Sequence, residues 1–150
     1  MPPIAGGSHL EDVRRTRLEQ LRAMTDEQFA AEVREHQAAR WRPSALREHA
    51  KKHWRDFEDA MGHGLGPSEL QEMSSAALRS WDRLLTGIDP GFRQITYTFV
   101  TRLTSGGAIL VVITRGQWIR TAIPVDDFDR WLGRHGNLVE VTDRAKRLGI

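Results

Sequence analysis

Through its first 88 residues the chain places apolar side chains three or four positions apart, the repeat of helices that bury one side. Ser8-His9-Leu10-Glu11 has the form of a capping box and leads into Leu10, Val13, Leu18, Leu21 and Met24 at helical spacing. Thr25-Asp26-Glu27-Gln28 is a second box, opening a helix that turns Phe29, Ala30 and Val33 inward. Pro43-Ser44 starts a third helix, carried by Leu46, Ala50, Trp54, Phe57 and Met61 and stopped at the glycines of MGHGLG. Ser68-Glu69-Leu70-Gln71 opens a fourth, with Leu70, Met73, Ala77, Trp81, Leu84 and Ile88 on one stripe, ended by Gly87 and Pro90-Gly91.

The period then changes. RQITYTFVTRL alternates Ile95, Tyr97 and Phe99 with Thr96, Thr98 and Arg102, which predicts a half-buried strand. TSGG is a turn, and AILVVIT is apolar on both faces, which places it inside the sheet. Arg115-Gly116-Gln117 is a second tight turn, and WIRTAIPV a third strand with Pro124 near its end. Asp126 is positioned to cap a short helix through Phe128, Trp131 and Leu132, and NLVEV suggests a last short strand. Strands joined by tight turns form an antiparallel meander. The fold class is therefore α+β: N-terminal helices packed on a C-terminal antiparallel sheet of three to four strands. Residues 1–40 read as an N-terminal helical extension and 41–150 as the α+β domain, unless the two form one continuous domain.

Composition narrows the classes. A length of 150 residues suffices for a core without covalent staples, and the absence of cysteine excludes disulfides and thiolate metal sites. No apolar run approaches the roughly 20 residues of a membrane-spanning helix. MPPIAGGSHLED has no basic segment followed by an apolar one, so an ordinary secretory signal is not expected. The net charge of +2 is unevenly spread. Residues 91–150 hold nine Arg and Lys against five Asp and Glu, and residues 42–55 hold five against Glu48 alone. Two such segments meeting after folding would attract phosphate, although each also reads as an ordinary solvated face.

The chemistry concentrates in LREHAKKHW, where His49 and His53 lie four apart beside Lys52. A zinc reading is weak: Ala50 follows His49 where a zinc protease carries its glutamate, and His63 sits in a glycine-rich loop at no recognised ligand spacing. No metal and no cofactor is therefore expected. An acid–base reading is more coherent. Cleaving RNA without a metal needs a base for the ribose 2′-OH, an acid for the leaving 5′-oxygen, and cations or donors around the phosphate. Imidazoles suit both proton roles. His49, Lys52 and His53 facing a strand with Arg120 and Thr121 would supply that inventory, with Arg102, Thr114 and Trp118 as further substrate contacts. Taken singly, each has a structural reading: His53 as a core histidine, Arg120 as a solvated residue, Thr121 as a strand former, Trp118 as core.

The pattern Leu46-x-x-His49-x-x-Lys52-His53, a following helix, and a meander closing on Gly116-x-x-Ile119-Arg120-Thr121-x-x-Pro124 resembles the barnase–EndoU–colicin–RelE class of bacterial ribonuclease toxins, over roughly residues 44 to 125. Many of these are the toxic tips of polymorphic or contact-dependent inhibition systems, or phage relatives. The resemblance implies metal-independent endoribonuclease activity in the bacterial cytoplasm, with tRNA a frequent substrate. It also implies delivery from another cell by a specialised secretion system and neutralisation by a cognate immunity protein. Carried over by position, His49, Lys52 and His53 match the helix motif, and Arg120 and Thr121 the strand motif. Trp54 stands where a glycine is common, DFEDAMG replaces a Phe-Gly step, and Ala122 stands where an aromatic is common. These departures bear on base stacking and substrate choice more than on the fold.

Three other readings remain open on the residues. One is a non-catalytic module that binds nucleic acid or protein through the same basic faces. Another is a helical scaffold working through its first two helices. The third is an enzyme acting on a nucleotide.

Overall fold

A computed structural model describes residues 7–91, 93–114 and 117–150, the side chains of Gly7 and Ser8 excepted. Five helices come first: α1 (Gly7–Ala23), α2 (Asp26–Gln37), α3 (Pro43–Lys52), α4 (Trp54–Met61) and α5 (Pro67–Arg79). Then follow β1 (Arg83–Ile88), β2 (Ile95–Arg102), β3 (Ala108–Thr114), β4 (Ile119–Val125), α6 (Phe128–Gly133), β5 (Val139–Glu140) and α7 (Thr142–Arg147). All paired strands are antiparallel, in the order β4-β3-β2-β1-β5. The class is α+β, with helices N-terminal and the sheet C-terminal, as the periodicity predicts.

The local signals work where they are strongest. Thr25 caps α2 reciprocally with Gln28, and Pro43 and Pro67 open α3 and α5 in their first turns. The Ser8 box falls on a side chain outside the described residues, and so does the turn at Arg115-Gly116. Asp127 rather than Asp126 caps α6, its carboxylate accepting from Arg130 N–H at 3.1 Å.

Four elements differ from the sequence reading. The fourth helix stops at Arg79, and the stretch read as its last turns is strand β1, so the sheet has five strands. Leu84 and Ile88 satisfy a helical stripe, but Leu84 and Leu85 are both buried and belong to cores on opposite faces, which only a strand allows. The third helix breaks at His53 (φ −106°, ψ 16°), which ends α3 and begins α4. Trp54 consequently leaves the apolar stripe and is 45% exposed. Strand β2 is buried on both faces, Thr96 and Thr98 included, because α6 and Leu138 close the face expected to meet solvent. Finally, α7 follows β5 where the sequence reading placed no helix.

One face of the sheet carries the main core. Leu84, Tyr97, Phe99, Val111 and Ile113 meet Leu21, Phe29, Val33, Phe57, Leu70 and Leu78 from the helices. Residues 7–40 thus contribute to the same cluster as the sheet. On the opposite face Leu85, Val100 and Leu110 pack under Phe128, Trp131 and Leu132. Strand β4 is an edge whose outer side is not left bare: Arg40 bridges Trp118, and α4 contacts β4. That edge positions the candidate site.

Candidate active site at the edge of strand β4

The break at His53 has a local logic. Its N–H donates to His49 O at 3.0 Å, closing α3, while its carbonyl accepts from Phe57 N–H at 3.1 Å, opening α4. Both imidazoles therefore sit at a helix junction, with ring centroids 4.4 Å apart. The Trp41 ring packs against His49 at 4.9 Å, and the Trp41 indole N–H is fixed by Ser74 Oγ at 2.9 Å.

His49 reaches the sheet. Its Nε2 lies 2.7 Å from Ala122 O, 3.2 Å from Ala122 N and 3.4 Å from Thr121 Oγ1. With a proton on Nε2 the ring donates to the Ala122 carbonyl; with the proton on Nδ1 it accepts from the Ala122 N–H. Either way the imidazole stands in for a neighbouring strand at an edge whose main-chain groups would otherwise need water. Burial lowers the His49 pKa from its ordinary value; the hydrogen bond to Ala122 opposes this, and the charges of His53 and Lys52 add to the lowering. The ring is thus biased toward its neutral form, the form that accepts a proton.

His53 is more open and has an acid of its own. Its Nδ1 is 2.7 Å from Asp56 Oδ2, so Nδ1–H donates to the carboxylate and Nε2 is left to face a reactant. The sequence reading gives Asp56 no role. The available signal was a carboxylate three residues after a histidine at a helix start, where the side chains of the first and fourth residues meet.

The strand motif is split. Thr121 pairs with Val112 and Ile119 with Ile113, so Arg120 is the extra residue of a β-bulge. A bulge re-aims a side chain. The Arg120 guanidinium points to Asp89 beyond β1, with Nη1 2.6 Å from Oδ2, rather than to the histidines. Lys52 is exposed on the last turn of α3. Thr121 is thus brought to the histidines, Lys52 stands a turn from His49, and Arg120 is adjacent in chain but engaged elsewhere.

Among the described residues no hydrogen bond or ring contact joins the three secondary candidates to His49, His53 or Thr121. Arg102 sits in the row of Ala108 and Val125, roughly 13 Å along the strands from the row of Thr121, and its main-chain N–H is held by Asp82. Thr114 pairs with Thr96 and lies two residues past Val112, the partner of Thr121. Trp118 precedes β4 and lies under the Arg42 guanidinium at 4.9 Å, 37% exposed.

A cleft of about 610 Å³ adjoins the histidines through Asp56 and runs past Pro124 to Trp131. Asp56, Asp59, Asp126 and Asp127 outnumber Arg130 and Arg134 on its walls, so its lining repels phosphate rather than attracting it. Among the described residues no group of three or more His, Asp or Glu side chains is arranged to hold a metal ion, and no helix is long and apolar enough to cross a membrane. Comparison with protein-family models, with curated proteins and with solved structures found no match to this chain.

Proposed function

We propose that the chain is a metal-independent endoribonuclease of the toxin type, akin to the barnase–EndoU–colicin–RelE class. The observation that carries this reading is the meeting of His49 and Thr121, 72 positions apart in sequence, beside the His53–Asp56 pair. Neutral His49, its Nε2–H donating to the Ala122 carbonyl, takes the proton of the ribose 2′-OH on Nδ1, and the freed oxygen attacks phosphorus. The bond from phosphorus to the 5′-oxygen breaks, and that oxygen takes a proton from His53, which Asp56 orients. Thr121 Oγ1 donates to a non-bridging oxygen, and Lys52 offsets charge on the phosphate. The products are a 2′,3′-cyclic phosphate and a 5′-hydroxyl.

RNA, with tRNA first among the candidates, is the substrate on this reading, and bacterial cytoplasm is the place of action. An acidic immunity protein covering Lys51, Lys52 and Arg120 is the partner that charge complementarity favours.

Two observations favour a second reading, a non-catalytic binding module. His49 spends its Nε2 on main-chain groups of Ala122, and Arg120 is already paired. One experiment separates the two. Purified protein is incubated with total RNA in chelator, as wild type, His49→Ala and His53→Ala. Catalysis predicts cyclic-phosphate ends with wild type and a loss of at least 100-fold in His53→Ala, with RNA binding retained. Wild type that leaves tRNA, rRNA and mRNA intact while binding them supports the module.

A further inference from the structure

We infer that the exposed Arg120 guanidinium binds the phosphate of a polyanion and that Asp89 competes for it internally, so that this ion pair acts as an electrostatic gate on polyanion binding. The inference rests on the nucleic-acid reading above and adds a regulating residue to it.

The two partners are unequally held. Asp89 lies where β1 turns toward β2, and its own main chain fixes it: its N–H donates to Gln94 O at 2.7 Å, and its carbonyl accepts from Arg93 N–H at 2.7 Å. Its Oδ1 accepts from Gly91 N–H at 2.8 Å, which orients the carboxylate. The Asp89 side chain is 13% exposed and that of Arg120 is 47% exposed. The carboxylate is therefore the fixed member and the guanidinium the movable one.

Arg120 commits little to the contact. Only Nη1 reaches Asp89, and among the described residues no other group accepts from the guanidinium. A phosphate can take two of its donors in a fork, a stronger arrangement than the single contact. Because Arg120 is the bulge residue next to Thr121, rotation about its own side chain suffices to exchange one anion for the other. The loop carrying Asp89 need not open.

The test is a double-mutant cycle read by binding of a fluorescent single-stranded DNA oligonucleotide, which lacks the 2′-OH and so cannot be cut by 2′-OH attack. Binding is measured at low salt for wild type, Asp89→Asn, Arg120→Ala, the double variant, and Asp143→Asn as a remote removal of one charge. Asparagine keeps an oxygen for the Gly91 N–H; Arg120→Ala removes an exposed side chain and supplies the second arm. Asp89→Asn is expected to tighten binding about two- to fivefold. Asp143→Asn should not match it, and Asp89→Asn should have no effect once Arg120 is alanine. The gate is overturned if Asp89→Asn leaves affinity unchanged or weakens it. It is equally overturned if the gain persists in the Arg120→Ala background, or if wild type and Asp89→Asn both fail to bind. RNA cleavage by wild type is scored separately: a gate that holds without cleavage removes the nuclease reading and keeps this one.

Discussion

His49 and His36 are both held toward their neutral forms, and for the same first reason, burial. At His36 desolvation lowers the pKa against the raising effects of the Glu32 carbonyl and the Glu32 and Glu35 charges, with Arg17 adding to the lowering. His36 Nδ1–H donates to Glu32 O at 2.7 Å, while Nε2 is buried with no partner among the described residues. The linkage has a definite sign. The unfolded chain takes up protons near the ordinary value of 6.5, and the folded chain does so only at lower pH. The stabilisation is complete above about pH 6.5 and is lost as pH falls through the folded values. Urea titrations between pH 7.5 and 5.5 should show unfolding free energy falling on the acid side, with a shallower fall in His36→Phe. A profile that is flat or rising toward pH 5.5 would contradict the assignment. At this scale the histidine motif was legible, since spacing alone set His49 and His53 together. Asp56 and Asp89 drew no role, because a lone aspartate near a helix start or a turn is ordinary until its partner is in place.

At the scale of elements, α1, α2 and the sheet are joined by one buried polar network. Arg17 is fully buried; it donates to Thr86 Oγ1 at 3.2 Å, to Gln20 Oε1 at 3.0 Å, to Tyr97 OH at 3.3 Å and to the Glu32 carboxylate. Tyr97 O–H also donates to Glu32 at 2.6 Å, and burial together with the Glu32 charge pushes the Tyr97 pKa well up, so the phenol stays protonated. Breaking one side of such a pair costs more than replacing both. Arg17→Met should destabilise by about 3 kcal/mol, and Arg17→Met with Glu32→Leu should recover much of that loss in denaturant melts. Equal or additive losses would show that the pair is not coupled. Helical periodicity gives no sign of this network, because an arginine within an amphipathic helix reads as solvent-facing. The same blindness affects β1. Leu84 and Ile88 fit the helix period, and only pairing with β2 and β5 selects the strand.

For the whole molecule, Leu21, Phe29 and Val33 lie in one core with the sheet, so a fragment of residues 41–150 would expose that apolar face. It is expected to lose cooperative thermal unfolding by circular dichroism, and RNA cleavage with it; a fragment that melts cooperatively would show that the helical extension is dispensable. What the sequence determined by itself was everything local in origin: the α+β class, the Thr25 and Pro43 helix starts, the meander from Ile95 to Val125, and the pairing of imidazoles four residues apart. These follow from short-range sterics and periodicity, which neighbouring residues set among themselves. Tertiary structure decided what needs a distant partner. It set which face of β2 is covered, where the third helix bends, and that His49 docks on the open edge of β4 beside Thr121. It also sent Arg120 to Asp89. The free energy of such contacts comes from desolvation and charge pairing between segments tens of residues apart, and no local pattern encodes it.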